Sequence, residues 1–183
     1  RRMFCHMPFL VGTNEVKPFQ MHWVARVLSR SWGGELCDYS VKENPSEILE
    51  SLPRKLGLIS LIGDVAITSA QSMSWIEALG SWREPTILLS CAQSNGEVSG
   101  AAAAYSALLT IHSVPFLGIV QVGGNWDPYL RSLDGLPWCG FVPDRFSTES
   151  KNSKLVEYDE SLQTLVFCLR RRLDNIKIEL GRD

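Results

Sequence analysis

The feature that most constrains this chain is its alternation of short, continuously apolar runs with segments of helical periodicity. The runs are "FCHMPFLVG" (Phe4 to Gly12), "LGLISLIGD" (Leu56 to Asp64), "PTILLSC" (Pro85 to Cys91), "VPFLGIVQV" (Val114 to Val122) and "LPWCGFVPD" (Leu136 to Asp144). Each has the length of a strand and is apolar without strict alternation, the pattern of strands covered on both faces. Pro8 weakens the middle of the first run, because proline donates nothing to a ladder. Between the runs, Phe19 to Trp32 carries Met21, Val24, Ala25, Leu28 and Trp32 at helical spacing. Ser99 to Ile111 places Ala103, Ala107, Leu108 and Ile111 on one stripe. Ser161 to Ile178 gathers Leu162, Leu165, Val166, Leu169, Leu173 and Ile176, with Arg170 to Arg172 mostly outward. Strands alternating with helices imply right-handed crossovers and a parallel sheet. The expectation is one α/β domain over residues 1–183, a three-layer doubly wound and mostly parallel sheet. A polar, exposed connection at 145–158 is expected to precede a closing helix at 161–178.

The 183 residues suffice for a sizeable core, and 45% hydrophobic with 21% charged residues is an ordinary globular balance. A net charge of −2 gives no electrostatic reason to expect nucleic acid or an anionic membrane. No apolar run is long enough to span a bilayer. Five dispersed cysteines, Cys5, Cys37, Cys91, Cys139 and Cys168, form no CxxC pair and no metal-like spacing. They suit a reducing compartment, read here as the cytoplasm. Because the chain opens on Arg1-Arg2, an organelle stroma or matrix is the expectation if a transit peptide was removed.

The chemistry-bearing stretch is "VGTNEVKPFQ", Val11 to Gln20, where an apolar run meets a helical pattern. A phosphate-binding loop has the form GxxxxGK followed by Ser or Thr. Its glycines let amide N–H groups converge on the phosphates, its lysine meets their charge, and its hydroxyl holds magnesium. Gly12 and Lys17 are present. The second glycine is missing, and Pro18 occupies the hydroxyl position and removes an N–H. Gln20 is nearby but is a poor magnesium ligand. The plainer reading makes this stretch a strand-to-helix turn with Lys17 solvated.

Four stretches together resemble dethiobiotin synthetase and, more widely, the ParA/MinD-like P-loop proteins. "VGTNEVKPFQMHWVARVLSRSW" is similar to that family's GTDTEVGKT loop and following helix, with one position deleted. "LGLISLIGDV" resembles its strand ending in an acidic or glycine-rich segment. "WIEALGSWREPTILLSCAQSNGEVSGAAAAYSALLTIHSVPFLGIVQVGGN" resembles its succession of helix, strand, glycine loop, helix and strand ending in Asn. "LPWCGFVPD" resembles its short strand ending in proline. The resemblance implies a P-loop NTPase-like fold, commonly homodimeric, that uses ATP and magnesium to close a ureido ring by way of a carbamate. Position by position, Gly12, Thr13, Glu15 and Lys17 match the loop. Asn125 matches the asparagine that reads adenine, and Pro143 the proline after the last strand. A second alignment pairs "KPFQ" with a later KPVQ segment whose lysine meets the carbamate. Since both cannot hold, at least one of the family's two reactive lysines is missing. The segment before "LGLISLIGD" is also much shorter than the family's substrate side.

Asp64, ending an apolar run, suits either a magnesium-holding acid or the cap of a turn. "SNGEVSGAAAAYS" offers a helix start, but Glu97 opposes an anion there, and Ser94, Asn95 or Ser99 serves better as a cap. His6, His22 and His112 lack partners at ligand spacing, so no metal site is expected. No GxSxG occurs. Of six tryptophans, Trp82 beside Arg83-Glu84 and Trp126 in "GGNWDPY" fall in polar loops and are candidates for a protein interface. The expectation is therefore a dethiobiotin synthetase-like pseudoenzyme serving as a protein-binding, scaffold or assembly component, with a protein partner or a second copy. Gly12, Thr13, Lys17, Asn125 and Pro143 would be vestiges of a nucleotide site, with no cofactor. The alternative is an ATP-dependent ligase with a variant loop, using magnesium, in which Lys17 and Asp64 do the chemistry.

Overall fold

A computed structural model describes residues 8–52, 57–68, 73–144 and 153–181. Six strands, β1 (Phe9–Gly12), β2 (Leu36–Ser40), β3 (Leu58–Asp64), β4 (Thr86–Cys91), β5 (Phe116–Val122) and β6 (Trp138–Val142), form one parallel sheet in the order β2-β3-β1-β4-β5-β6. The helices are α1 (Pro18–Trp32), α2 (Pro45–Ser51), α3 (Trp75–Ser81), α4 (Ala101–Ile111), α5 (Pro128–Leu133) and α6 (Ser153–Leu180).

Two cores explain the unbroken apolar runs. Leu10, Ile87, Leu89, Val120 and Val122 point to the face that packs α1 and α6. Phe9, Val11, Leu88, Ile59, Leu61 and Ile119 point to the face that packs α2, α3 and α4. Alternate side chains along one strand are thus buried on opposite sides. The handedness of crossovers accounts for the division. The step from β1 out to β2 runs one way along the sheet, and every later step runs the other way, so right-handed connections place their helices on opposite faces. β1 consequently sends its chain to one face while its neighbours β3 and β4 send theirs to the other. That divergence opens a crevice at the carboxyl ends of these strands.

The expected elements hold with shifts that have physical causes. α1 starts at Pro18, where a preset φ suits the first turn, and stops at Gly33 in a left-handed conformation (φ 79°) whose N–H donates to the Ser29 carbonyl at 2.9 Å. The first strand is only Phe9–Gly12, after Pro8. Phe4–Met7 lie outside the described residues, as do Cys5 and His6. β2, α2 and α5 carry weak sequence signals, being short and half-buried or exposed. α6 begins at Ser153, inside the stretch expected to be an exposed connection, while 145–152 lie outside the described residues.

The α4 stripe needs correction. In α4 the buried residues are Ala102, Tyr105, Ser106 and Leu109, whereas Ile111 is 73% exposed. Hydrophobicity alone chose the wrong phase, because Ser106 is buried by donating to the Ala102 carbonyl at 2.7 Å and Tyr105 by its own hydrogen bonds. On α6 the arginines do not all face outward. Arg170 donates to the Trp32 carbonyl and lies 5.9 Å from that ring's centroid. Arg172 donates to the carbonyls of Leu117 (2.7 Å) and Pro137 (3.2 Å).

α5 has no buried residue and is held by its start: Asp127 Oδ1 accepts from the N–H groups of Tyr129 (2.9 Å) and Leu130 (3.2 Å). Asp127→Ala is expected to cost this helix about 1 kcal/mol. Amide hydrogen exchange would then show lost protection over Pro128–Leu133, with the sheet unaffected.

Candidate functional site

The crevice is lined first by the turn after β1. Gly12 pairs with Asp64 on β3 and with Leu89 on β4, which sets the loop between the two neighbouring strands. Beyond it the chain closes on itself. Thr13 N–H donates to the Leu89 carbonyl at 3.0 Å, and Val16 N–H returns to the Thr13 carbonyl at 3.0 Å. Lys17 N–H donates to Gln20 Oε1 at 2.9 Å. The Val16 side chain folds back over Gly12, where a Cβ would lie 2.9 Å from that of Val16 and 3.0 Å from Met21 Sδ. A phosphate cradle needs amides that point outward without partners. Those of Thr13, Val16 and Lys17 are engaged within the protein, and Pro18 has none. The Thr13 hydroxyl is buried with no hydrogen-bond partner.

Asp64 is likewise engaged. Its Oδ1 accepts from Ala66 N–H at 3.0 Å and from the Tyr105 hydroxyl at 2.5 Å. Tyr105 therefore ties α4 to the end of β3. Burial first, then the hydrogen bond and charge of Asp64, push its phenol well above the usual range, while the Asn14 amide pulls the other way.

The rest of the crevice is more acidic than basic. Glu15 Oε2 accepts from Ser99 Oγ at 2.7 Å, and the same oxygen of Ser99 accepts from Ala101 N–H at 3.2 Å, joining the turn to the start of α4. Cys91, ending β4, donates to Gln20 Oε1 at 3.4 Å. Burial, and then the charges of Glu15 and Asp144, push its thiol up to about 11, against smaller opposing effects of Gln20 and Lys17. Glu15 and Asp144 thus outweigh Lys17 in the field at Cys91, a balance that disfavours a polyanion. Among the described residues no group of three His, Cys, Asp or Glu side chains is placed to hold a metal ion.

The structure brings Gly12, Thr13, Lys17 and Asp64 together at the crevice. Asn125 and Pro143 follow β5 and β6 along the same sheet edge, and both backbone carbonyls have structural partners. Asn125 accepts from Gln121 Nε2 at 3.1 Å, and its N–H donates to the Ser94 carbonyl at 3.2 Å. The Pro143 carbonyl accepts from Trp23 Nε1 at 2.9 Å. Neither loop tryptophan is fully exposed. Trp82 closes α3 and packs against the second core, while Trp126 stacks on Phe141 at 5.6 Å and meets Trp138 edge-on at 6.5 Å. Tyr105 was missed as a site residue because an alanine-rich helix gives no sign of which polar group turns inward, whereas Ser99 caps the helix start as expected. Among the described residues no helix is long and apolar enough to cross a membrane. Compared with known proteins, the chain matches no family model and no curated sequence.

Proposed function

We propose that this chain is a non-catalytic domain of dethiobiotin synthetase-like architecture that acts as a protein-binding or assembly component. The observation that carries the reading is the closed turn after β1, whose amides at Thr13, Val16 and Lys17 have partners inside the protein. The acidic surroundings and the engagement of Asp64 by Tyr105 support it further. Large apolar side chains on α5, Tyr129 at 71% and Leu133 at 64% exposure, support the partner-binding half.

Isothermal calorimetry with ATP and magnesium tests the proposal. The expected result is no saturable heat at millimolar nucleotide. Sub-millimolar binding that disappears with Lys17→Ala would overturn it. If phosphate release also required Lys17 and Asp64, the ATP-dependent ligase would take its place.

A further inference from the structure

The outward side of α4 departs most from what solvent demands of a helix. Its 11 residues carry no charge, although an exposed helix face is ordinarily where charged side chains collect. The core takes Ala102, Tyr105, Ser106 and Leu109, which leaves Gly100, Ala104, Ala107 and Ile111 exposed. Those four stand at successive spacings of four, three and four residues, a single seam along the helix. Ile111 is 73% exposed, and the space beside Gly100 is open, since a Cβ there would meet nothing within 4 Å. The next helix along the same face adds a second apolar surface. α5 buries none of its own residues and exposes Tyr129 (71%), Leu130 (49%) and Leu133 (64%). It lies on the α4 side of the sheet because it packs on Trp138, which joins the core beneath α3 and α4. Arg131 stands 5.0 Å from that ring's centroid, and Asp134 accepts from its Nε1 at 2.8 Å.

We propose that α4 is the interface of a homodimer, packed antiparallel against α4 of a second copy about a two-fold axis that passes between Tyr105 and Ser106. The inference rests on the partner-binding half of the function proposed above and names the partner.

Three features select a second copy. The seam carries its large residue at one end and its glycine at the other, with the two alanines placed symmetrically between them. Reversing one helix therefore sets Ile111 over the open space at Gly100 of the other copy and Ala104 over its Ala107, in both halves at once. Glycine and alanine let the two axes approach to ~8 Å, the close end of helix packing. Charge is the second feature. A two-fold axis through a helix brings its charges near their own images, and this helix has none to repel. Area is the third. The same rotation turns α5 toward α5 of the other copy, so both apolar surfaces are covered together. Each copy offers apolar surface on the order of 500 Å², and two copies about 1,000 Å², the size at which a specific pair becomes stable.

Sedimentation velocity on the full chain tests the proposal. The expected result is a species of twice the 20.5 kDa chain mass that gains over the monomer as concentration rises to about 100 μM. Ala107→Glu should weaken association at least ~10-fold with an unchanged circular dichroism spectrum, because it buries two like charges near the axis. Phe167→Glu alters a comparably exposed residue (63%) on α6, across the sheet, and should leave association as it was. A monomer throughout that range, a dimer indifferent to Ala107→Glu, or one broken by Phe167→Glu would each overturn the interface. So would a monomer whose α4 is covered by an unrelated protein. The first measurement uses the unaltered chain, so it stands even if a variant folds poorly. Nucleotide binding by calorimetry would overturn the non-catalytic reading without touching the oligomeric state, so the two failures are told apart.

Discussion

Gly80→Ala is expected to destabilise the protein by about 3 kcal/mol, a fall of roughly 6–12 °C in thermal midpoint for a chain of this size. Gly80 sits near the end of α3, and its missing side chain leaves room for the backbone carbonyl of His112 at the end of α4. A Cβ would fall far inside van der Waals contact with that oxygen. Alanine favours a helix over glycine by about 1 kcal/mol, so propensity alone predicts the opposite sign. The clash wins because the neighbour is main chain. It is fixed in turn by Val114 N–H donating to the Leu109 carbonyl at 2.9 Å and Thr86 N–H to the Pro115 carbonyl at 2.9 Å, so it cannot turn away as a flexible side chain would. Thermal unfolding followed by circular dichroism measures the effect. An unchanged or higher midpoint would show that α3 and α4 do not meet this closely.

Tyr105→Phe is expected to cost about 2 kcal/mol, since it leaves Asp64 without a charge-assisted donor. The midpoint should fall by roughly 4–8 °C. The pH dependence has a definite sign. The phenol's pKa is raised in the folded state, so its contribution is complete below the ordinary phenol value of about 10. It declines as pH climbs through the higher folded value. The phenylalanine variant should lack that alkaline loss. This substitution also separates two roles for Asp64. If the acid serves structure, as its partners indicate, millimolar magnesium leaves the midpoints of both proteins unchanged. If it holds a metal, magnesium raises the native protein's midpoint by binding the folded state.

The sheet was legible in the sequence because strands buried on both faces require unbroken apolar runs, and nearly every such run became one. β2 escaped notice: "LCDYS" lies at an edge, half-buried, so burial never demanded a strong pattern of it. The α1 and α6 stripes were legible for the same reason, since each covers the sheet with a full apolar face. The α4 stripe was not. Its inward face is chosen by Tyr105 and Ser106, whose hydrogen bonds to distant or preceding carbonyl and carboxylate oxygens make burial tolerable.

At the candidate site, residue identity alone revealed that the second glycine and the hydroxyl are missing and that proline stands after Lys17. Those are local facts, because a missing N–H or hydroxyl is missing in any fold. Whether the remaining amides stay open was a matter for tertiary structure. Leu89 comes from a neighbouring strand and meets the turn after β1 only when the sheet is assembled, whereas Gln20 caps Lys17 locally from the next helical turn.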